Sequence, residues 1–118
     1  MSEHQNVRLD DLLHYVREGK ILEAMSEFYA DNVIMEEPAY GTTIGLPANI
    51  KREKQFVESV KEFRNFQTPH VAVGPNTAMY ENIMDWVGTD GKDHHVEQVS
   101  VQTWKNGKII HERFYYSA

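Results

Sequence analysis

Two carboxylates stand out by the company they keep. Glu112 shares one face of a β-branched and aromatic segment with Ile110, Phe114 and Tyr116, because side chains alternate along a strand. Glu37 follows the apolar run Val33-Ile34-Met35, beside Glu36 and directly before Pro38. A carboxylate among apolar side chains has its charged form penalised, so its proton affinity rises toward the range in which it can both take and give a proton. The segment preceding Glu112 puts Gln98, Ser100 and Gln102 on one alternation with Val96 and Trp104. Three neutral polar groups in a row suit a ligand pocket with a few convergent hydrogen-bonding groups, and equally a face turned to solvent. Tyr40, Trp86, Phe114 and Tyr116 add aromatic surface that either meets a flat apolar ligand or fills a core.

Other chemistries are disfavoured. The 118 residues include no Cys, which removes disulfides, thiol nucleophiles and cysteine metal sites. His94 and His95 are adjacent and point to opposite faces of a strand, so they cannot chelate one ion together, and no metal site is expected. The segment Gly41 to Gly45 lacks the Lys-Ser/Thr ending of a phosphate loop. Twelve basic against eighteen acidic residues give a net charge of -6 without a basic run, which argues against nucleic-acid and anionic-membrane partners. Apolar stretches are short and the N-terminus lacks the regions of a signal peptide, so the expectation is a cytoplasmic protein.

The elements that must position these residues follow from periodicity. Leu9, Leu12, Leu13 and Val16 repeat at helical spacing, with Asn6 available as N-cap and Gly19 beyond the end. Ile21, Leu22, Met25, Phe28 and Tyr29 repeat it again, predicting a helical hairpin. A brief strand Val33-Ile34-Met35 and a loop from Pro38 to Pro47 come next, then a third helix to about Phe63. Four β-rich stretches complete the chain: Thr68 to Val73, Thr77 to Gly88, Asp93 to Trp104 and Lys108 to Tyr116. Asp90-Gly91 and Asn106-Gly107 between them are hairpin dipeptides, so the second half reads as an antiparallel meander. Periodicity favours Tyr80, Asn82, Met84 and Trp86 as the inward list of the Thr77 strand. Helices first and strands second predict one α+β domain over residues 1–118.

The order of elements, the ending Met35-Glu36-Glu37-Pro38 and the last hairpin Trp104-Lys105-Asn106-Gly107-Lys108-Ile109 resemble the nuclear transport factor 2-like superfamily. Within it the sequence is most similar to the SnoaL-like polyketide-cyclase group. The resemblance implies N-terminal helices packed on a strongly bent antiparallel sheet, a conical barrel with a central pocket, and dimerisation through the outer sheet face. Val99, Val101, His111, Arg113 and Tyr115 would lie near the centre of that interface. Matched to the ketosteroid isomerase branch, Glu37 falls where that branch has its Asp general base, while Ser100 stands in place of its hydrogen-bonding Asp. The expectation is a pocket protein acting on a small apolar or aromatic carbonyl compound by general acid/base chemistry, as isomerase, cyclase or dehydratase, without a cofactor. Glu37 and Glu112 would be catalytic, and Tyr40, Trp86, Gln98, Ser100, Gln102, Phe114 and Tyr116 would bind. A non-catalytic binding or protein-interaction module of the same fold is the alternative.

Overall fold

A computed structural model describes residues 7–117. Asn6, the expected N-cap, lies outside the described residues, and Arg8 holds the cap position of α1 (Leu9–Arg17). The apolar stripe of that helix buries Leu9, Leu12 and Leu13, and α2 (Ile21–Phe28) buries Ala24, Met25 and Phe28 against it. Phe28 meets Tyr15 and Trp104 edge-on, at centroid distances of 5.2 and 6.4 Å. These contacts seat the hairpin on the sheet.

Seven strands follow or interrupt the helices: β1 (Tyr29–Glu37), β2 (Gly41–Ile44), then after α3 (Leu46–Glu58) β3 (Val60–Gln67), β4 (Val71–Gly74), β5 (Thr77–Gly88), β6 (Asp93–Lys105) and β7 (Lys108–Tyr115). The sheet order is β2-β1-β7-β6-β5-β3, with β4 also paired to β5. Only β1 and β7 run parallel. The sheet is curled and does not close, and the three helices make this the α+β arrangement expected. No helix among the described residues is long and apolar enough to cross a membrane.

The structure corrects several expected boundaries. Tyr29 begins β1 instead of ending α2, and the strand extends well beyond Val33-Ile34-Met35. The loop after Pro38 contains β2, whose Gly41 pairs with Glu37 and takes φ +71°, a conformation that closes the hairpin and that side-chain-bearing residues avoid. The third helix stops at Glu58, and Val60 to Gln67 is a strand on β5. Its register shifts twice, after Val60 and after Phe63, so the half-buried Val60, Phe63 and Phe66 recur every third residue and imitate a helix. β4 starts at Val71, later than expected. A bulge at Ile110 reverses the start of β7: Ile109 packs inward opposite Trp104, and only from Glu112 onward does the expected phase hold.

The β5 face matches the inward list, and the polar row of β6, which the sequence left open between pocket and solvent, turns inward. Tyr80, Asn82 and Met84 are buried on one strand, and Ser100, Gln102 and Trp104 on the next. The dipeptide Asn106-Gly107 forms the β6–β7 turn with both φ angles positive, 53° and 76°.

Asn49, fully buried at the start of α3, ties that helix to the β1–β2 hairpin. Its amide donates to the carbonyls of Gly45 at 2.8 Å and Thr43 at 3.1 Å. Replacing it with Ala removes both bonds, leaving Thr43 without its amide donor while the Gly45 carbonyl keeps the backbone N–H of residue 49. Asn49→Ala should lower stability by about 1–3 kcal/mol, read as a lower urea midpoint with unchanged slope.

Candidate functional site

Between α2, α3 and the concave face of the sheet lies a cavity of about 460 Å³. Strand β1 contributes Tyr29, Met35 and Glu37 to its wall, and β5 contributes Tyr80, Asn82, Met84 and Trp86. Gln98, Phe114 and Tyr116 complete the sheet side, while α3 supplies Arg52, Glu53 and Phe56 from above. Tyr40, 68% exposed, stands at the rim with its ring 5.4 Å from the Arg52 guanidinium. Trp86 is clamped between Phe56, edge-on, and His94, stacked at 5.2 Å.

The two carboxylates singled out in the sequence occupy different layers. Glu37 lines the cavity, where it takes an ion pair from Arg52 at 3.2 Å and a hydrogen bond from the Tyr116 hydroxyl at 2.9 Å. Partial burial and then the hydrogen bond to Glu37 push the Tyr116 phenol up to about 12. Glu112 is fully buried behind the wall. Its Oε2 accepts from Ser100 at 2.6 Å and from Gln102 at 2.7 Å, and its Oε1 accepts from the Tyr29 hydroxyl. Burial drives its proton affinity up against the opposing pull of those three donors. Ser100 and Gln102 therefore serve Glu112 and do not line the cavity. Gln98 does line it and bonds to Asn82 at 3.0 Å.

Sequence reasoning missed Glu53. Its carboxyl lines the cavity with no hydrogen-bond partner among the described residues, and burial pushes it up to about 7, with Arg52 opposing and Glu37 and Glu112 assisting. The signal was present: Glu53 lies three residues after Ile50 and three before Phe56, inside the stripe by which α3 faces the sheet. Among the described residues no group of His, Asp and Glu could hold a metal ion.

Three helices over the concave side of a curled, unclosed seven-stranded sheet make the nuclear transport factor 2-like fold. Residues 3–116 match the profile of the SnoaL-like domain, and the chain belongs to that family. No curated protein matches the sequence. Among solved structures it is similar to a candidate isomerase from Bacillus subtilis, at 19% identity and TM-score 0.81 over 99% of this chain and 90% of that one. A candidate SnoaL-like polyketide cyclase from Mesorhizobium loti matches at 22% identity and TM-score 0.75, covering 91% and 94%. A protein of ketosteroid isomerase-like fold from Catenulispora acidiphila, in complex with trimethylamine, matches at 12% and 0.77, covering 94% and 86%. At these identities the likeness is one of fold.

Glu53 carries a pH signature whose sign is fixed. The folded state holds its proton to about 7, whereas the unfolded chain releases it near 4.5, so stability falls between those values and stays lowered above them. Glu53→Gln should match the wild type near pH 4 and exceed it by about 1–3 kcal/mol at pH 8, less than the full shift implies because cavity water screens the charge. Denaturant titrations at the two pH values check this.

Proposed function

We propose that the protein is a cofactor-independent proton-transfer enzyme, an isomerase, cyclase or dehydratase, acting on a small apolar or aromatic carbonyl compound. The observation that carries the reading is Glu53, an unpaired carboxyl in a largely apolar cavity, with a proton affinity matched to neutral pH. Glu53 is the base that takes a proton from the carbon beside the carbonyl. Glu37, its charge balanced by Arg52, lines the same cavity from the sheet side and relays the proton. Trp86, Phe114 and Tyr116 hold the apolar body, with Tyr40 at the mouth and Gln98 as a polar contact. The names borne by similar folds, isomerase and polyketide cyclase, agree with this class of chemistry.

A non-catalytic binding module is the second reading, favoured by Glu112, whose carboxylate is satisfied internally by three donors. Exchange chemistry separates the two. Small aryl ketones in heavy water should exchange their α-protons in the presence of the protein without added cofactor, with a rate that rises through about pH 7 as Glu53 ionises. Glu53→Gln should lower that rate by about 10²- to 10⁴-fold, the usual contribution of a positioned base. Absence of exchange above background at every pH would leave the binding module.

The outer sheet face is proposed as a homodimer interface. Val99 and Val101 on β6 share it with His111, Arg113 and Tyr115 on β7, where Tyr115 is 47% exposed and stacks under Arg113. Light scattering should return about twice 13.7 kDa, and Val101→Asp should return the single-chain mass.

A further inference from the structure

The hydrogen-bond chain behind the cavity has a direction, and the direction can be deduced atom by atom. Trp104 Nε1 can only donate, and it donates to Gln102 Oε1 at 2.9 Å. That fixes the amide, so Gln102 Nε2 must face Glu112 Oε2, at 2.7 Å, and can only donate to it. Ser100 Oγ donates to the same Oε2 at 2.6 Å. Gln102 is a fixed donor to Oε2, and with Ser100 donating beside it the oxygen open to a proton is Oε1, which faces the Tyr29 hydroxyl.

Only one hydrogen fits between two bonded oxygens. When Glu112 is ionised that hydrogen belongs to Tyr29. When Glu112 is protonated it belongs to Glu112, the bond reverses, and the hydrogen of Tyr29 must turn elsewhere. Among the described residues no other acceptor takes the Tyr29 hydroxyl, while Tyr29 itself lines the cavity. We propose that Tyr29 is the hydrogen-bond donor to a carbonyl oxygen bound in the cavity, and that protonation of Glu112 turns it to face that ligand. Tyr29 then touches the ligand, and Glu112 is a positioning residue acting through it. The ligand half of this inference rests on the carbonyl reading above, whereas the reversal of the bond does not.

The surroundings raise the proton affinity of Glu112. The groups facing it are Tyr29 and Glu37 from β1, Tyr80 from β5, Ser100 and Gln102 from β6, and Glu53 from α3. Burial and the Glu37 charge raise its proton affinity, while the donors lower it, and the balance lies above the ordinary carboxylate value. Tyr29 and Tyr80 stay neutral phenols, held up by burial and by Glu112. The acid form gains as pH falls, whereas Glu53 works as a base only when ionised. A reaction that needs a proton on Glu112 and none on Glu53 falls off on both sides of its optimum, giving a bell-shaped profile.

Carbon-13 labels on Glu carboxyls and Tyr Cζ test the reversal in the free protein. Glu112 should titrate above the ordinary carboxylate range, and the Tyr29 Cζ signal should move with the same midpoint. In Glu112→Gln the new amide oxygen must accept from Ser100 and Gln102, so its nitrogen donates to Tyr29 permanently. Tyr29 Cζ should then hold its low-pH position at every pH. With acetophenone as probe, the carbonyl stretch of the bound ketone should shift to lower frequency at low pH, and in Glu112→Gln at all pH. Tyr29→Phe should abolish the shift and weaken acetophenone about fivefold, the loss of one neutral hydrogen bond. A Tyr29 Cζ signal indifferent to Glu112 overturns the reversal. Retention of the shifted stretch in Tyr29→Phe, or no bound ketone in the wild type, overturns the donor role. Glu53→Gln should leave the stretch intact, so a failure of the proton-transfer reading shows as unchanged exchange in that variant and is distinguishable.

Discussion

The carboxylate of Glu112 constrains the rest of the structure. It belongs to β7 and has no exposure, and its donors come from β1 and β6, so three neighbouring strands must hold their register for the group to be tolerated. Each polar atom of a buried carboxyl left without a partner costs about 1–3 kcal/mol, so the group is tolerated only when its bonds with Tyr29, Ser100 and Gln102 are all made. Because strand side chains alternate, a one-residue slip of β7 would turn Glu112 outward and strand Ser100 and Gln102. The network thus selects one pairing of the sheet as well as filling its centre.

The bulges convert that pairing into a container. At Ile110 the extra residue lets Ile109 pack inward with Trp104 while Glu112 still meets Gln102. On the opposite side two shifts bend β3 as it runs along β5, and the strand ends where β4 takes over the same edge. Irregular pairing of this kind increases local twist and bends a sheet, and a bent sheet leaves space beneath α3 that a flat one would fill. The cavity is in this sense a product of broken alternation.

That origin explains what could be read from the sequence. β5 and the start of β6 fall where the alternation and the Asp-Gly turn place them, because both signals are local. β3 was hidden because its bulges give Val60, Phe63 and Phe66 a three-residue spacing that helices share. β2, four residues long and starting on a glycine, has too little pattern to separate from a loop. Tyr29 continued the spacing of α2, so its place at the cavity wall was invisible. The phase of Glu112 was legible, but its partner Tyr29 lies 83 residues away and no local rule pairs them. Glu53 escaped because a charged helix residue ordinarily faces water, and only the helix stripe marked it otherwise.

The charge balance of the cavity follows from these placements. Arg52 is committed to Glu37, with its guanidinium half-sandwiched by Tyr40, and so compensates Glu53 only from a distance. The charges of Glu37 and Glu112 raise the cost of ionising Glu53, and that of Glu37 raises the cost of ionising Glu112, so the buried carboxyls are electrostatically coupled. Glu37 is engaged by Arg52 and Glu112 by its three partners, while Glu53, without one, is pushed up to about 7 by burial, so its charge changes near neutrality. Folding alone gains nothing from an unpaired carboxyl at that position, since Gln or Leu would pack without the desolvation cost. A group whose retention costs stability, placed where a ligand would touch it, is the arrangement that proton transfer requires and that passive binding of an apolar ligand does not.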